Sequence, residues 1–141
     1  MTGSIATASD GFLRTLRGYL AIVAAELGVG LESCTVDVDL PVSAYLALDQ
    51  RVLAFPERDV ALLWDERHGW SFAVETHSGE DLIVLAYLKA DTVAPPAELV
   101  VRFVAELCAG DSKLGIPDPP KIRALGERGG LFPEPPLAGV A

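Results

Sequence analysis

Cysteine, histidine and methionine are scarce in this chain, at two, two and one of 141 residues. So few cysteines exclude a disulfide scaffold, and Cys34 and Cys108, far apart in sequence, read as a reduced interior pair. No Cys/His spacing matches a zinc motif, and no cofactor or metal is expected. Bases are also few. Eleven Lys+Arg stand against 20 Asp+Glu, for a net charge of −9. That balance argues against direct nucleic-acid binding, which needs a basic surface to neutralise phosphates. The apolar run near the start, residues 18–25, is too short to span a bilayer. The N-terminus opens without a basic residue, which disfavours a secretory signal. A cytoplasmic protein with no membrane contact is expected.

Catalytic signatures are missing as well. There is no Gly-x-Ser-x-Gly elbow and no Gly-Lys-Ser/Thr phosphate loop. The glycine groups at 28–30 and 126–130 are too short to cradle a nucleotide. Neither cysteine has a histidine beside it in sequence.

Apolar side chains, by contrast, are plentiful, at 50% of the chain, enough to offset the entropy of ordering one domain. The charge divides the chain in two. Residues 1–110 hold 16 acids and seven bases and carry the whole net −9, whereas residues 111–141 hold four of each. The second stretch also contains six of the ten prolines and five glycines. A folded α+β body over 1–110 and an extended or partly disordered tail over 111–141 are therefore expected. In that tail, Leu131-Phe132 and Leu137 are candidate anchors among the prolines.

Ser9 or Asp10 can cap a helix running to Leu27, with Leu13, Leu16, Leu20, Val23 and Leu27 on one stripe and Gly28 to end it. A second helix is expected from Pro95-Pro96 through Val100, Phe103, Val104 and Leu107 to Gly110. Between them the hydrophobic period changes from 3.6 to 2. Strands are predicted over Cys34–Leu40, Ser43–Asp49, Asp59–Asp65, Gly69–Thr76 and Asp81–Lys89. Their short connections favour an antiparallel meander, so the fold class is a five-stranded sheet flanked by an N-terminal and a C-terminal helix.

Two turns fix registers. A Glu66-Arg67-His68 loop puts Trp64 opposite Trp70, Leu62 opposite Phe72 and Val60 opposite Val74. A Ser78-Gly79 turn puts Val74 opposite Ile83, Phe72 opposite Leu85 and Trp70 opposite Tyr87. Both choices gather the large side chains on one face, where the helices should dock. The other face would then carry Ala61, Leu63, Ser71, Ala73, Glu75, Leu82, Val84, Ala86 and Leu88. A solvated face should be polar, and this one is largely apolar, so a cover is expected: the tail, a homodimer partner or another protein.

Candidate sites follow from these faces. Leu63, Ala73, Leu82, Val84 and Leu88, with the acidic Asp37 and Asp39, form a candidate protein-interaction surface. Residues 37–81 contain ten acids and three bases, which solubilise the sheet or steer a basic partner. Asp65, Glu66 and His68 could form an acid–base pair, but a charged hairpin tip between two buried tryptophans is the stronger reading. The cluster of Glu75, His77, Glu80 and Asp81 lies at the far end of strand four and cannot share a metal with His68. Arg67, His68, Trp70 and Glu75 are the residues to inspect if a ligand pocket lies between sheet and helices.

The segments Ala44-Tyr45-Leu46-Ala47-Leu48-Asp49, Leu62-Leu63-Trp64-Asp65-Glu66-Arg67-His68-Gly69-Trp70 and Gly79-Glu80-Asp81-Leu82-Ile83-Val84-Leu85 resemble a family of small actinobacterial proteins of unknown function. The resemblance covers roughly residues 10–108 and leaves the tail outside. It implies a cytoplasmic bacterial protein and brings no catalytic residues. The helix–sheet–helix order with an acidic surface is also similar to bacterial secretion-chaperone domains, although their helix between strands has no counterpart here. A non-enzymatic protein-interaction or chaperone-like domain, as a homodimer or with another protein, is the leading expectation, and a small-molecule-binding or enzymatic domain with a pocket between sheet and helices is the alternative.

Overall fold

Ser9 accepts a hydrogen bond from the Phe12 amide at 3.1 Å and so caps helix α1, Asp10–Leu27. Asp10 in the first turn complements the positive end of the helix dipole. Gly28 ends the helix at φ 79°, a left-handed conformation that costs glycine nothing. The computed structural model describes residues 8–122 apart from 77, 79, 112 and 121. After a 3₁₀ turn at Leu31–Ser33 come β1 (Cys34–Asp37), β2 (Ser43–Ala47), β3 (Val60–Asp65), β4 (Gly69–Glu75) and β5 (Leu82–Leu88). Helix α2 (Ala97–Cys108) starts after Pro96, and β6 (Gly115–Ile116) follows it.

All six strands form one antiparallel sheet in sequence order. The α+β meander matches the expectation, but the strand count does not: among the described residues the sheet has six strands, not five. β6 adds Ile116 opposite Tyr87 and Gly115 opposite Leu88. Two residues are too few to show a period in sequence, so nothing marked this strand. β1 also stops at Asp37 instead of Leu40, where the chain turns and the Asp37 carboxylate accepts from the Asp39 amide at 3.1 Å. A cis Leu40-Pro41 bond follows.

Both helices pack on the face expected for them. Trp64, Trp70, Phe72, Leu62, Val60 and Val74 are all at most 1% exposed there, packed with Leu16, Leu20 and Val23 of α1 and Val100, Phe103 and Val104 of α2. The Phe72 and Phe103 rings meet edge to face at 6.5 Å, a favoured aromatic geometry. On α1 the most buried stripe is Phe12, Leu16, Tyr19, Leu20, Val23 and Ala24, with Leu13 and Leu27 half-buried at its margins.

The β3–β4 register is as predicted, from Val60 opposite Val74 to Trp64 opposite Trp70. The β4–β5 register begins as predicted, with Val74 opposite Ile83, and then shifts between Phe72 and Ala73. Phe72 consequently lies opposite Ala86 rather than Leu85, and Ser71 rather than Trp70 lies opposite Tyr87. The extra residue is Leu85, which makes a bulge and inverts the side-chain alternation beyond it. Ala86 and Leu88 therefore turn into the core, and Tyr87 turns onto the other face. This corrects the placement of Leu88 on the interaction surface, because it is 2% exposed among core residues.

Among the described residues no helix is long and apolar enough to cross a membrane. Cys34 and Cys108 are free, and burial raises the pKa of both thiols above the ordinary value. The anchors Leu131-Phe132 and Leu137 lie outside the described residues.

Candidate interaction face and its supporting hairpin

The hairpin joining β3 to β4 is built almost entirely for structure. The Trp64 indole donates to the Val93 carbonyl at 2.6 Å. The Trp70 indole donates to the Tyr19 hydroxyl at 3.0 Å, and that hydroxyl donates to the Pro95 carbonyl at 2.5 Å. Two strands and one helix thus fasten the segment that leads into α2. Burial pushes the Tyr19 phenol well above its ordinary pKa, with the Trp70 bond opposing it, so the hydroxyl is held in its protonated, donating form.

Asp65 holds the loop closed. One carboxylate oxygen accepts from the Arg67 and His68 amides, both at 2.7 Å, and the His68 ring lies 3.3 Å from the same carboxylate. Glu66 turns inward, is 1% exposed, and accepts from the Val42 amide at 2.9 Å, while its own amide donates to the Val42 carbonyl at 3.0 Å. Gly69 has φ 76°, and a Cβ there would meet the Val93 Cα at 3.2 Å. Six of the seven residues in Trp64–Trp70 therefore hold the fold, and Arg67 alone is exposed.

This arrangement separates the residues suggested for a ligand pocket. Trp70 is buried in the core, Arg67 points to solvent at the hairpin tip, and His68 is half-buried against Asp65. Glu75 lies at the opposite end of β4, about 20 Å from His68 at strand rise. The layer between sheet and helices is filled by the tryptophans, Phe72, Phe103 and leucines, leaving these four no common cavity to line. Among the described residues, no three His, Cys, Asp or Glu side chains are grouped to hold a metal. His77 lies outside the described residues.

The other face of the sheet has a distinct relief. Across it runs the row Thr35, Tyr45, Leu63, Ser71, Tyr87 and Ile116, each opposite the next. Beside it, Ala47, Ala61, Ala73 and Val84 make a second row. Small side chains on the central strands form a floor, with Ala61, Ser71 and Ala73 shaded to 0, 6 and 0% exposure. Tyr45, Leu63, Val84 and Tyr87 stand half-buried around them. Beside the alanine row, Thr35, Tyr45, Leu63, Ser71, Val84 and Tyr87 line a groove of about 400 Å³, with Asp37, Asp65, His68 and Pro119 also on its walls. Burial, with Glu75 and Asp59 nearby, raises the Tyr45 phenol above its ordinary pKa.

The residues singled out for interaction fall into three groups. Leu63, Ala73 and Val84 belong to the two rows, and Asp37 rims the groove. Leu82 lies at the exposed start of β5, and Asp39 is exposed beyond the end of β1. Leu88 belongs to the core. Sequence reasoning missed Tyr45 and Tyr87 as groove walls. Tyr45 was legible from its alternation with Ala44 and Leu46, whereas Tyr87 was hidden by the bulge.

A family model matches residues 19–106, which takes in the sheet through β5, the hairpin, the second half of α1 and most of α2. The chain belongs to DUF6292, a family of unknown function. No curated protein and no solved structure shows significant similarity to the chain. The DUF6292 match ends two residues before α2 does, so β6 and Pro119 lie outside it. Every lining residue of the groove except Pro119 therefore lies within the DUF6292 segment.

Proposed function

We propose that this DUF6292 domain is a non-enzymatic, chaperone-like protein-interaction module, whose second sheet face receives a protein segment. The observation that carries this reading is the relief of that face, where shaded Ser71 lies among half-buried Tyr45, Leu63, Val84 and Tyr87 in a groove beside a row of buried alanines. Aromatic and aliphatic walls with few charges between them suit an extended segment whose alternate side chains enter a groove. Asp37 and Asp65 at the rim add negative charge that would orient a basic partner. A cytoplasmic location fits such a role.

Leu63→Asp tests the reading. It places a charge in the groove wall at a half-buried site, away from the helix-packed core. Affinity capture from native cytosol should lose the wild-type chain's partner with this variant, while its thermal melt stays cooperative. Retention of every partner by a folded Leu63→Asp chain would reject the groove as the docking site.

A further inference from the structure

β5 is paired with β4 from Leu82 to Tyr87 apart from the bulged Leu85, but on its other side β6 reaches only Tyr87 and Leu88. Among the described residues, nothing pairs with the outer edge of Leu82–Ala86. The exposure follows that boundary. Leu82 is 36% and Ile83 47% exposed, whereas Ala86 and Leu88 are buried. The Leu-Ile-Val stretch ahead of the Leu85 bulge has no charge, proline or inward lysine to discourage strand addition. Its backbone is also aimed outward. The Thr76 amide donates to the Asp81 carbonyl at 2.9 Å, so alternation turns the polar groups of Leu82 and Val84 away from β4.

We propose that this edge pairs antiparallel with the same edge of a second copy, about a twofold axis at Val84, joining two sheets into one. Three features favour a second copy as the occupant. A twofold contact must be self-complementary, and an uncharged five-residue strand placed against itself brings no like charges together. Centring on Val84 lets two outward-facing residues exchange both backbone bonds and leaves each β6 at the end of the shared ribbon. The flanking charges also complement each other in this orientation. Glu80 and Asp81 precede β5, and Lys89 and Lys113 lie at its far end, all four exposed. Antiparallel pairing brings the acids of one protomer toward the lysines of the other, whereas parallel pairing would set acid against acid. So short a strand pair is a small interface, which implies a weak, concentration-dependent dimer.

The edge is separate from the groove, so the two assignments fail independently. Sedimentation equilibrium of the full chain over about 1 to 500 µM should show a monomer–dimer equilibrium with a dissociation constant on the order of 10 µM. Ile83→Lys changes an exposed side chain and should preserve the circular dichroism spectrum while weakening association at least tenfold, because the two new charges sit diagonally across the shared ribbon. Asp81→Lys should weaken it about threefold, with the difference vanishing at high salt. A wild-type chain that stays monomeric throughout, or a folded Ile83→Lys chain that dimerises as tightly as wild type, overturns the proposal. Loss of the dimer with Leu63→Asp but not with Ile83→Lys also overturns it and would assign self-association to the groove.

Discussion

The two faces of the sheet are built from the same strands and differ in how their side chains are used. On the helix-packed face, Val60, Leu62, Trp64, Trp70, Phe72 and Val74 are excluded from solvent, and the two indoles are hydrogen-bonded. On the other, residues one position along the same strands alternate between fully shaded alanines and half-exposed Leu63, Tyr45 and Val84. One face has spent its apolar area on folding, and the other still has area to give to binding. The contrast shows that average hydrophobicity is a poor guide to a sheet's stability, since what matters is whether a neighbouring layer touches it.

Phe103→Ala should sharpen the contrast most. It removes a fully buried ring from α2 that meets Phe72 edge to face, and should cost about 3–5 kcal/mol in urea unfolding. A loss below about 1 kcal/mol would mean the helix layer is loosely packed. Trp64→Phe is next. It takes the indole donor from the Val93 carbonyl and should cost about 2–3 kcal/mol. Glu66→Ala leaves the buried Val42 amide without its carboxylate and should cost about 1–3 kcal/mol, measurable as a lower urea midpoint.

A pH series addresses the same face. The folded Tyr19 phenol holds its proton more tightly than the unfolded chain, whose ordinary value is 10.0. Unfolding therefore releases a proton in alkali. This contribution to stability is complete below about pH 10 and is lost as the pH rises further. Tyr19→Phe should be less stable at neutral pH, since the Pro95 carbonyl and the Trp70 indole lose their partner, but its stability should fall less steeply above that pH. Equal slopes for the two chains would refute the assignment. The smallest effect belongs to the other face, where Leu63→Ala should cost no more than about 1 kcal/mol. A cost as large as that of Phe103→Ala would show that the groove is already filled in the free chain and would end the comparison.

Much of this contrast was legible in sequence, because helix caps and tight turns are local. Ser9 and Gly28 bound α1 as expected, and the three-residue loop at 66–68 fixed the β3–β4 register. What escaped were features without a local signal. A bulge adds one residue to a strand, and Leu85 looks like any other member of an apolar run. A two-residue ladder such as β6 has no period to detect. Glu66 read as part of a charged tip because its partner, Val42, is 24 residues away. Asp65 and His68 invited a catalytic reading by residue type, and only their bonds within the loop show them shaping a turn.

The bulge at Leu85 has a consequence for how this surface can diverge. Elsewhere in a regular strand one residue lost exchanges the two faces, but here the bulge lets β5 shorten by one residue without doing so. Without Leu85, Ala86 would still lie opposite Phe72 and Tyr87 opposite Ser71, so the core and the groove wall would both be kept. A related chain one residue shorter at Leu85 can therefore present the same groove wall from an unbulged strand.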